Sequence, residues 1–326
     1  MRALFFLLLI APLGALAGER LLLVKPALYS GMADASGAVP VSSNLFVAAS
    51  DEDNILRLYR SDRSGAPLKQ FDCNAFLELH GKNLEADLEA AARIGDRAFW
   101  IGSHGRKQNG KDRPNRCRLF ATDIKVIDGE VALKPVGKPC KTLLDDLIAD
   151  PRFDRFHFAA ASRRAPKGSG ALNIEGLAAT PEGHLLIGFR NPIPEGKALL
   201  IPLLNPDEVI EGKAGSFEPA ILLDLAGLGV RDISCYGGTY LIIAGSFHGG
   251  GHFQLYRWPG PGTRPQRLPV DSFGDYHPEA LIIYPQKGLQ EVQVLSDDGN
   301  RLIDGVPGKK ITDPARQTFR SFWLRE

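Results

Sequence analysis

Cysteine is scarce in this chain, and an excess of either charge is missing. The four cysteines, Cys73, Cys117, Cys140 and Cys235, include no CxxC pair, which excludes a zinc knuckle. Lys and Arg number 39 against 38 Asp and Glu, a formal net charge of +1. Without a global basic field, nucleic acid and acidic membrane surfaces are poor partners. The one local basic run, Arg106 to Arg113, includes Gly110 and Asp112 and reads as a solvated loop. After the first 17 residues no apolar stretch reaches the roughly 20 residues that span a bilayer. Signature catalytic loops are lacking too. There is no GxSxG elbow, and Gly249–Gly251 lacks the Lys-Ser/Thr ending of a phosphate loop. Asp51-Glu52-Asp53-Asn54 begins like a calcium loop without completing the pattern, and reads as a solvated hairpin tip.

What is present begins with an address. Arg2 supplies a positive start, Ala3 to Leu16 is almost wholly apolar, and Ala15-Leu16-Ala17 fits the small-x-small cleavage rule. Residues 1–17 therefore read as a secretory signal peptide, which makes the mature chain, 18–326, periplasmic or secreted. No cysteine stands at the cleavage point to carry a lipid. The mature chain has 309 residues, with 38 basic and 38 acidic, a length usual for a single large β domain. An even cysteine count in an exported chain points to disulfides. One bridge among Cys73, Cys117 and Cys140 is the expectation, with Cys235 a buried thiol in an apolar run.

Short apolar runs rich in β-branched and aromatic residues alternate with Gly, Pro, Asp and Asn, which is the pattern of strands and turns. Leu45–Ala49 and Ile55–Tyr59 form a hairpin, and Thr318–Leu324 alternates like a closing strand. Helical signal is confined to Thr142–Asp150, with Thr142 as cap and Pro151 as stop. One motif recurs: Asp87-Leu88-Glu89-Ala90-Ala91-Ala92, Asn173-Ile174-Glu175-Gly176-Leu177-Ala178 and His277-Pro278-Glu279-Ala280-Leu281-Ile282, with a degenerate copy at Arg231-Asp232-Ile233-Ser234-Cys235. Units begin near residues 40, 86, 173, 231 and 277. Most intervals, about 46 to 58 residues, suit the four-strand blade of a β-propeller. The longer interval from 86 to 173 has room for the helix and a partial blade. The expected fold is all-β, a propeller of five or six four-stranded blades with a short helix on one connection. The final strand would complete a blade begun near the N-terminus. A β-sandwich would show alternation without the repeat, and a β-helix shorter repeats.

In such a blade the acid opens the first strand, and the antiparallel second strand returns to the same end. His104 and Arg190 each follow their acid by 15 residues, Ser246 and His248 follow Asp232, Asp297 follows Glu279, and Asp51 takes the matching place in the first unit. Glu89, Glu175 and Glu279 are thus candidate metal ligands at one mouth of the channel, with His104, Arg190, Asp232 and His277 as ligand-binding candidates. Clustered carboxylates repel. A hard cation such as Ca²⁺ relieves this. So does pairing with Arg93, Arg190 or Arg231, and so do backbone N–H bonds in which the acids merely latch blade to blade.

The stretches Asp87–Ala92, Trp100–Arg106 and Arg113–Phe120, with Asn173–Ala178 and Gly188–Pro192, resemble the domain-of-unknown-function 3616 family over about residues 40 to 325. More distantly, the Asp-x-Glu-Gly-Leu style of opening is similar to esterase-like phytase propellers. That likeness implies a propeller fold and a cation-assisted phosphoester site. Cys117 stands where the family commonly has His, so no role is carried to it, and few Lys or Arg residues are expected at the mouth to hold a polyphosphate. The reading reached is an exported propeller of unknown specific function that binds a small ligand or divalent cation at a carboxylate-lined mouth. A metal-dependent hydrolase and a protein-interaction scaffold are the alternatives.

Overall fold

The computed structural model describes residues 20–270 and 272–325. The signal-peptide reading of residues 1–17 lies outside them. The first strand, β1 (Leu22–Ser30), is set apart from the blade that follows it. Blade one is β2 (Ala35–Pro40), β3 (Leu45–Ser50), β4 (Ile55–Arg60) and β5 (Lys69–Asp72). Blade two is β6 (Leu88–Ile94), β7 (Arg97–Gly102), β8 (Leu119–Ile127) and β9 (Glu130–Cys140). Helices α1 (Leu143–Ala149) and α2 (Phe158–Ala161) follow. Blade three is β10 (Asn173–Ala179), β11 (Leu185–Asn191), β12 (Ala198–Leu203) and β13 (Ile221–Leu223), with α3 (Pro206–Val209) in its last connection. Blade four is β14 (Gly229–Tyr236), β15 (Thr239–Gly245), β16 (Phe253–Trp258) and β17 (Gln266–Leu268).

Blade five shows how the ring closes. It runs β18 (Pro278–Ile282), β19 (Glu291–Ser296), a small hairpin of β20 (Leu302–Ile303) and β21 (Val306–Pro307) that stands outside the sheet, then β22 (Thr318–Arg325), with β1 as its outermost strand. Leu22 pairs with Arg325 and Ser30 with Thr318, antiparallel throughout. The terminal strand therefore does not complete a blade begun near the N-terminus. The N-terminal strand completes the last blade instead. Either way the seam joins the two ends of the chain by backbone hydrogen bonds and leaves only short outer edges exposed. The fold is a mostly β, five-bladed propeller.

Five hydrophobic cores, one between each pair of neighbouring blades, hold it together. In β3, Val47 and Ala49 face the core shared with blade two, while Phe46 and Ala48 face the core shared with blade five. Alternate residues point to opposite faces of a strand, and both faces here are covered, so the strand reads as an unbroken apolar run. Each such fully buried large apolar side chain contributes about 1.5–3 kcal/mol relative to exposure. The long interval between the second and third units holds no partial blade. It holds β8 and β9, extended past the sheet, and then α1, a 3₁₀ turn (Pro151–Phe156) and α2, from which Leu143 and Leu147, Phe153, and Phe158 respectively wedge into the core between blades two and three. Thr142 precedes α1 without a side-chain cap bond, and Asp150 instead caps the 3₁₀ turn begun by Pro151.

The expected disulfide is absent: all four cysteines are free. Cys73 belongs to the core between blades one and two, and Cys140 to the core between blades two and three. The sheet of blade two separates them, so cysteines near in sequence face away from each other. Cys235 is half-buried rather than buried, at the apolar opening of the channel. Among the described residues no helix is long and apolar enough to cross a membrane.

Candidate functional site: a carboxylate-rich channel mouth

The five inner strands surround a channel with two openings. One, of about 460 Å³, is lined largely by the apolar ends of these strands, around Val39, Ala92, Ala178 and Ile283. The other, of about 420 Å³, gathers nine carboxylates and six basic side chains where the inner strands begin.

A backbone device places the acids there. Every inner strand carries a β-bulge near its start: between Ala35 and Ala38, Leu88 and Ala90, Ile174 and Gly176, Val230 and Asp232, and Pro278 and Ala280. A bulge inserts an unpaired residue and re-aims its side chain. The residues so placed are Glu89, Glu175, Arg231 and Glu279, and blade one has Ser36-Gly37. Gly37 is required at its place, because a Cβ there would lie 2.8 Å from the carbonyl carbon of Ala90.

This geometry corrects the alignment of the degenerate repeat. The blade-four counterpart of the glutamates is Arg231, and Asp232 sits one position further on. A shift of one residue turns a strand side chain to the opposite side. Arg231 reaches the glutamates from both neighbouring blades, with Nη1 2.9 Å from Glu175 Oε2 and Nη2 on Glu279 Oε1. Asp232 is a latch: its Oδ2 accepts a 2.6 Å bond from the Leu281 backbone N–H, while Ser234 Oγ donates to the Leu281 carbonyl at 3.0 Å. Burial pushes Asp232 up to about 8, against the backbone N–H bonds that favour its charged form. Ser36 Oγ makes the matching latch in blade one, to the Leu88 carbonyl.

Glu175, 2 % exposed, is paired with two arginines, although among the described residues its Oε2 has only the ion pair to Arg231 and no hydrogen bond. Its Oε1 accepts from Arg190 Nη1 at 2.7 Å and Asn173 Nδ2 at 2.6 Å. Glu89 is the contrast. It is 8 % exposed, and among the described residues no hydrogen bond or ion pair closes on it. Its carboxylate oxygens share two clusters, one with Glu175 and Glu279 and one with Asp51 and Asp87, in each of which the oxygens lie within 4.8 Å of one another. Burial raises its pKa well above the ordinary range, and the charges of Glu175, Asp87 and Glu279 add to this.

Around Glu89 lies a second group of acids, brought by loops. Asp51 and Glu52 follow β3 and form a third cluster with Asp34. Asp51 Oδ1 is buried without a hydrogen-bond partner among the described residues. The Asp51–Asn54 turn is thus no mere solvated tip: Asp51 and Glu52 line the mouth, and Asp53 clamps Arg57. Asp34 is pushed up to about 8 by burial and by Asp297 and Glu52, with Lys309 opposing. Burial raises Asp51, and Asp34 and Glu89 add to the rise. Asp87 binds Ser103 Oγ and Arg116 Nη1 (2.8 Å), both through Oδ2, and burial still holds it up at about 7.

Of the residues singled out by the repeat, Glu89, Glu175, Glu279, Arg190, His277, Asp51 and Asp297 line the mouth. His104 does not. Its ring turns inward, with Nδ1 2.8 Å from the Gly102 carbonyl, and burial pushes its pKa down to about 4. His248 is exposed and outside the lining, and Arg93 lies at the apolar opening. Asp87, which opens the first copy of the motif, lines it too, and the lining also contains residues that the repeat did not disclose: Asp34, Glu85, Lys107, Arg116, Lys167 and Lys309. The mouth is consequently richer in basic groups than its motifs suggest, because these side chains come from connections of irregular length.

Fold and site together define a five-bladed β-propeller with buried acidic clusters at one end of its channel. The chain belongs to the family described as "Protein of unknown function (DUF3616)", which matches residues 34–125 and 131–295. A search of curated proteins finds no match. Solved structures similar to it include the glutaminyl cyclase of Myxococcus xanthus (12 % identity, 94 % of this chain and 97 % of that one, TM-score 0.49). The PQQ-bound aldose sugar dehydrogenase of Streptomyces coelicolor is 10 % identical over 93 % of this chain and 98 % of that one, with a TM-score of 0.44. A GH43 β-1,3-galactosidase with galactodeoxynojirimycin is 10 % identical over 89 % of this chain and 90 % of that one, with a TM-score of 0.46. These likenesses carry no argument about activity.

Proposed function

We propose that this is an exported protein whose channel mouth binds a divalent cation, with Ca²⁺ the first candidate, on the side of Glu89 that faces blades one and two. The observation that carries the reading is Glu89 itself: a buried carboxylate on which no hydrogen bond or ion pair closes among the described residues, with the charge of Arg231 opposing the rise of its pKa, among others with raised pKa values. An uncompensated buried charge is costly and is relieved by protonation or by a cation. Oxygens on opposite sides of a hard cation at about 2.4 Å are about 4.8 Å apart, and the Asp51, Asp87 and Glu89 oxygens lie within that span. On the other side of Glu89, Arg231 already supplies the positive charge, so Glu175 and Glu279 serve as its counter-ions and stand second to Asp51 and Asp87 as ligands. Export rests on the Arg2 to Ala17 pattern.

The test is thermal unfolding of the mature protein after chelation, with Ca²⁺, Mg²⁺, Mn²⁺ or Zn²⁺ added. Binding to the folded state stabilises it by about 2.7 kcal/mol at a hundredfold excess over Kd. One cation raises Tm in the wild type and loses most of that effect in Glu89→Gln and Asp51→Asn. No shift with any cation would sink the proposal.

A further inference from the structure

We infer that the mouth also contains an oxyanion subsite, formed by Lys167 and Arg190 across Glu175 from the acidic cluster, so that its ligand is a small molecule carrying an oxyanion group. The inference rests on the reading of the mouth as a ligand site and names the class of ligand.

Three observations carry it. First, the two cations converge. A Cβ placed on Gly249 would lie 3.4 Å from Lys167 Nζ and 3.9 Å from Arg190 Nη2. Second, neither is fully satisfied. Arg190 spends Nη1 on Glu175 and Nε on the Ser246 carbonyl, leaving Nη2 without an acceptor among the described residues. No hydrogen bond or ion pair closes on the Lys167 ammonium there either. Third, the arrangement is built. Asn191, adjacent to Arg190, donates through Nδ2 to the carbonyls of Pro166 at 3.0 Å and Gly168 at 2.7 Å. It thereby clamps the backbone on both sides of Lys167 to blade three.

Two like charges brought together oppose each other's ionisation, and Glu175, the one acid that counters them here, is already shared with Arg231. Burial depresses the Lys167 pKa, and Arg190 and Arg231 add to it. An oxyanion between Lys167 and Arg190 removes that cost and takes charge-assisted hydrogen bonds from both. Gly249, at φ +86°, puts no side chain into this space. Carboxylate, phosphate and sulfate groups share the required chemistry.

The experiment titrates inorganic phosphate, sulfate and acetate separately into the chelated mature protein at low ionic strength, followed by calorimetry. At least one anion binds saturably to the wild type, and the tightest identifies the group. Lys167→Ala weakens it by about tenfold, equivalent to about 1.4 kcal/mol. Lys167→Arg retains binding, as does Lys125→Ala on the outer face of blade two. Equal affinity in Lys167→Ala, or no saturable binding by the wild type, overturns the subsite. Because cations have been stripped and the chelator, itself a polycarboxylate, dialysed away before the titration, the result is separate from the cation reading. Anion binding without any cation effect upholds the subsite and removes the cation. A Glu89-dependent cation effect without anion binding does the reverse.

Discussion

On one side of the mouth, Arg231 lies between Glu175 and Glu279 and closes on both; on the other, Glu89 faces Asp51 and Asp87, and the two basic groups at hand are turned elsewhere or set back. Arg116 is committed to Glu85 and Asp87, and Lys309 stands 3.7 Å from Glu52. The same bulge in the same strand position supplies the central residue on both sides. Whether the result is a closed ion-pair network or an open acidic pocket depends on the residue in the neighbouring blade: arginine in blade four, serine and glycine in blade one. The closed half serves stability, whereas the open half is costly unless its acids hold protons or a positive charge enters.

Removing the arginine is the most severe way to break this contrast. Arg231→Met leaves Glu175 and Glu279 buried without their shared cation, and the loss of one partner from a buried pair costs about 3–5 kcal/mol. Urea unfolding of the chelated protein measures it, and a loss below about 1 kcal/mol would show the network to be dispensable. The two glutamates should then move stability in opposite directions. Glu279→Gln weakens a charged hydrogen bond and costs about 1.5–3 kcal/mol. Glu89→Gln removes an uncompensated carboxylate and stabilises the metal-free protein by about 1 kcal/mol, while abolishing the cation response. Destabilisation of the chelated protein by Glu89→Gln would contradict the assignment.

pH gives a third measure. Asp34 and Asp232 keep their protons up to about 8 and Asp87 up to about 7, whereas the unfolded chain releases such protons near pH 4. The folded state binds more protons across this window, so the stability these groups confer is complete below about pH 4 and is lost as pH rises towards 8. His104 acts in the opposite sense. Held down to about 4, its contribution is lost as pH falls from 6.5 towards 4, and it is one group against several. The Tm of the chelated protein should therefore fall between about pH 5 and 8, and a saturating cation should flatten the slope. A rising Tm across that range would refute the account. Asp232→Ala, which removes the latch on Leu281, costs about 1–3 kcal/mol and leaves cation affinity unchanged. The smallest effect is expected from reductant: with no disulfide to break, Tm stays where it is.

The repeated Leu88-Glu89-Ala90 and Ile174-Glu175-Gly176 segments disclosed the propeller because each blade must bury both sheet faces against its neighbours and so reuses one apolar pattern. The same regularity placed Glu89, Glu175 and Glu279 at one end of the channel. It misassigned blade four, where Asp232 was matched to the glutamates although Arg231 occupies the bulge. A bulge adds a residue without changing composition, so the true register shows only in the pairing of Val230 with Ala244 and Asp232 with Ile243. His104 was placed at the correct strand end, yet its ring turns to the Gly102 carbonyl, a choice of side-chain direction that spacing does not encode. Lys167 and Asp34 carry no repeat signal.

From the sequence alone came the strand-rich architecture, the recurrence of an acid once in most blades and the end of the channel to which those acids belong, because hydrophobic periodicity and spacing are local properties of the chain. Only the tertiary structure decided the blade number, the strand that closes the ring, the free state of the cysteines, and which carboxylates find an arginine and which do not. Those outcomes depend on the distances between residues that different blades and loops bring together, and on how much water is left around each charge.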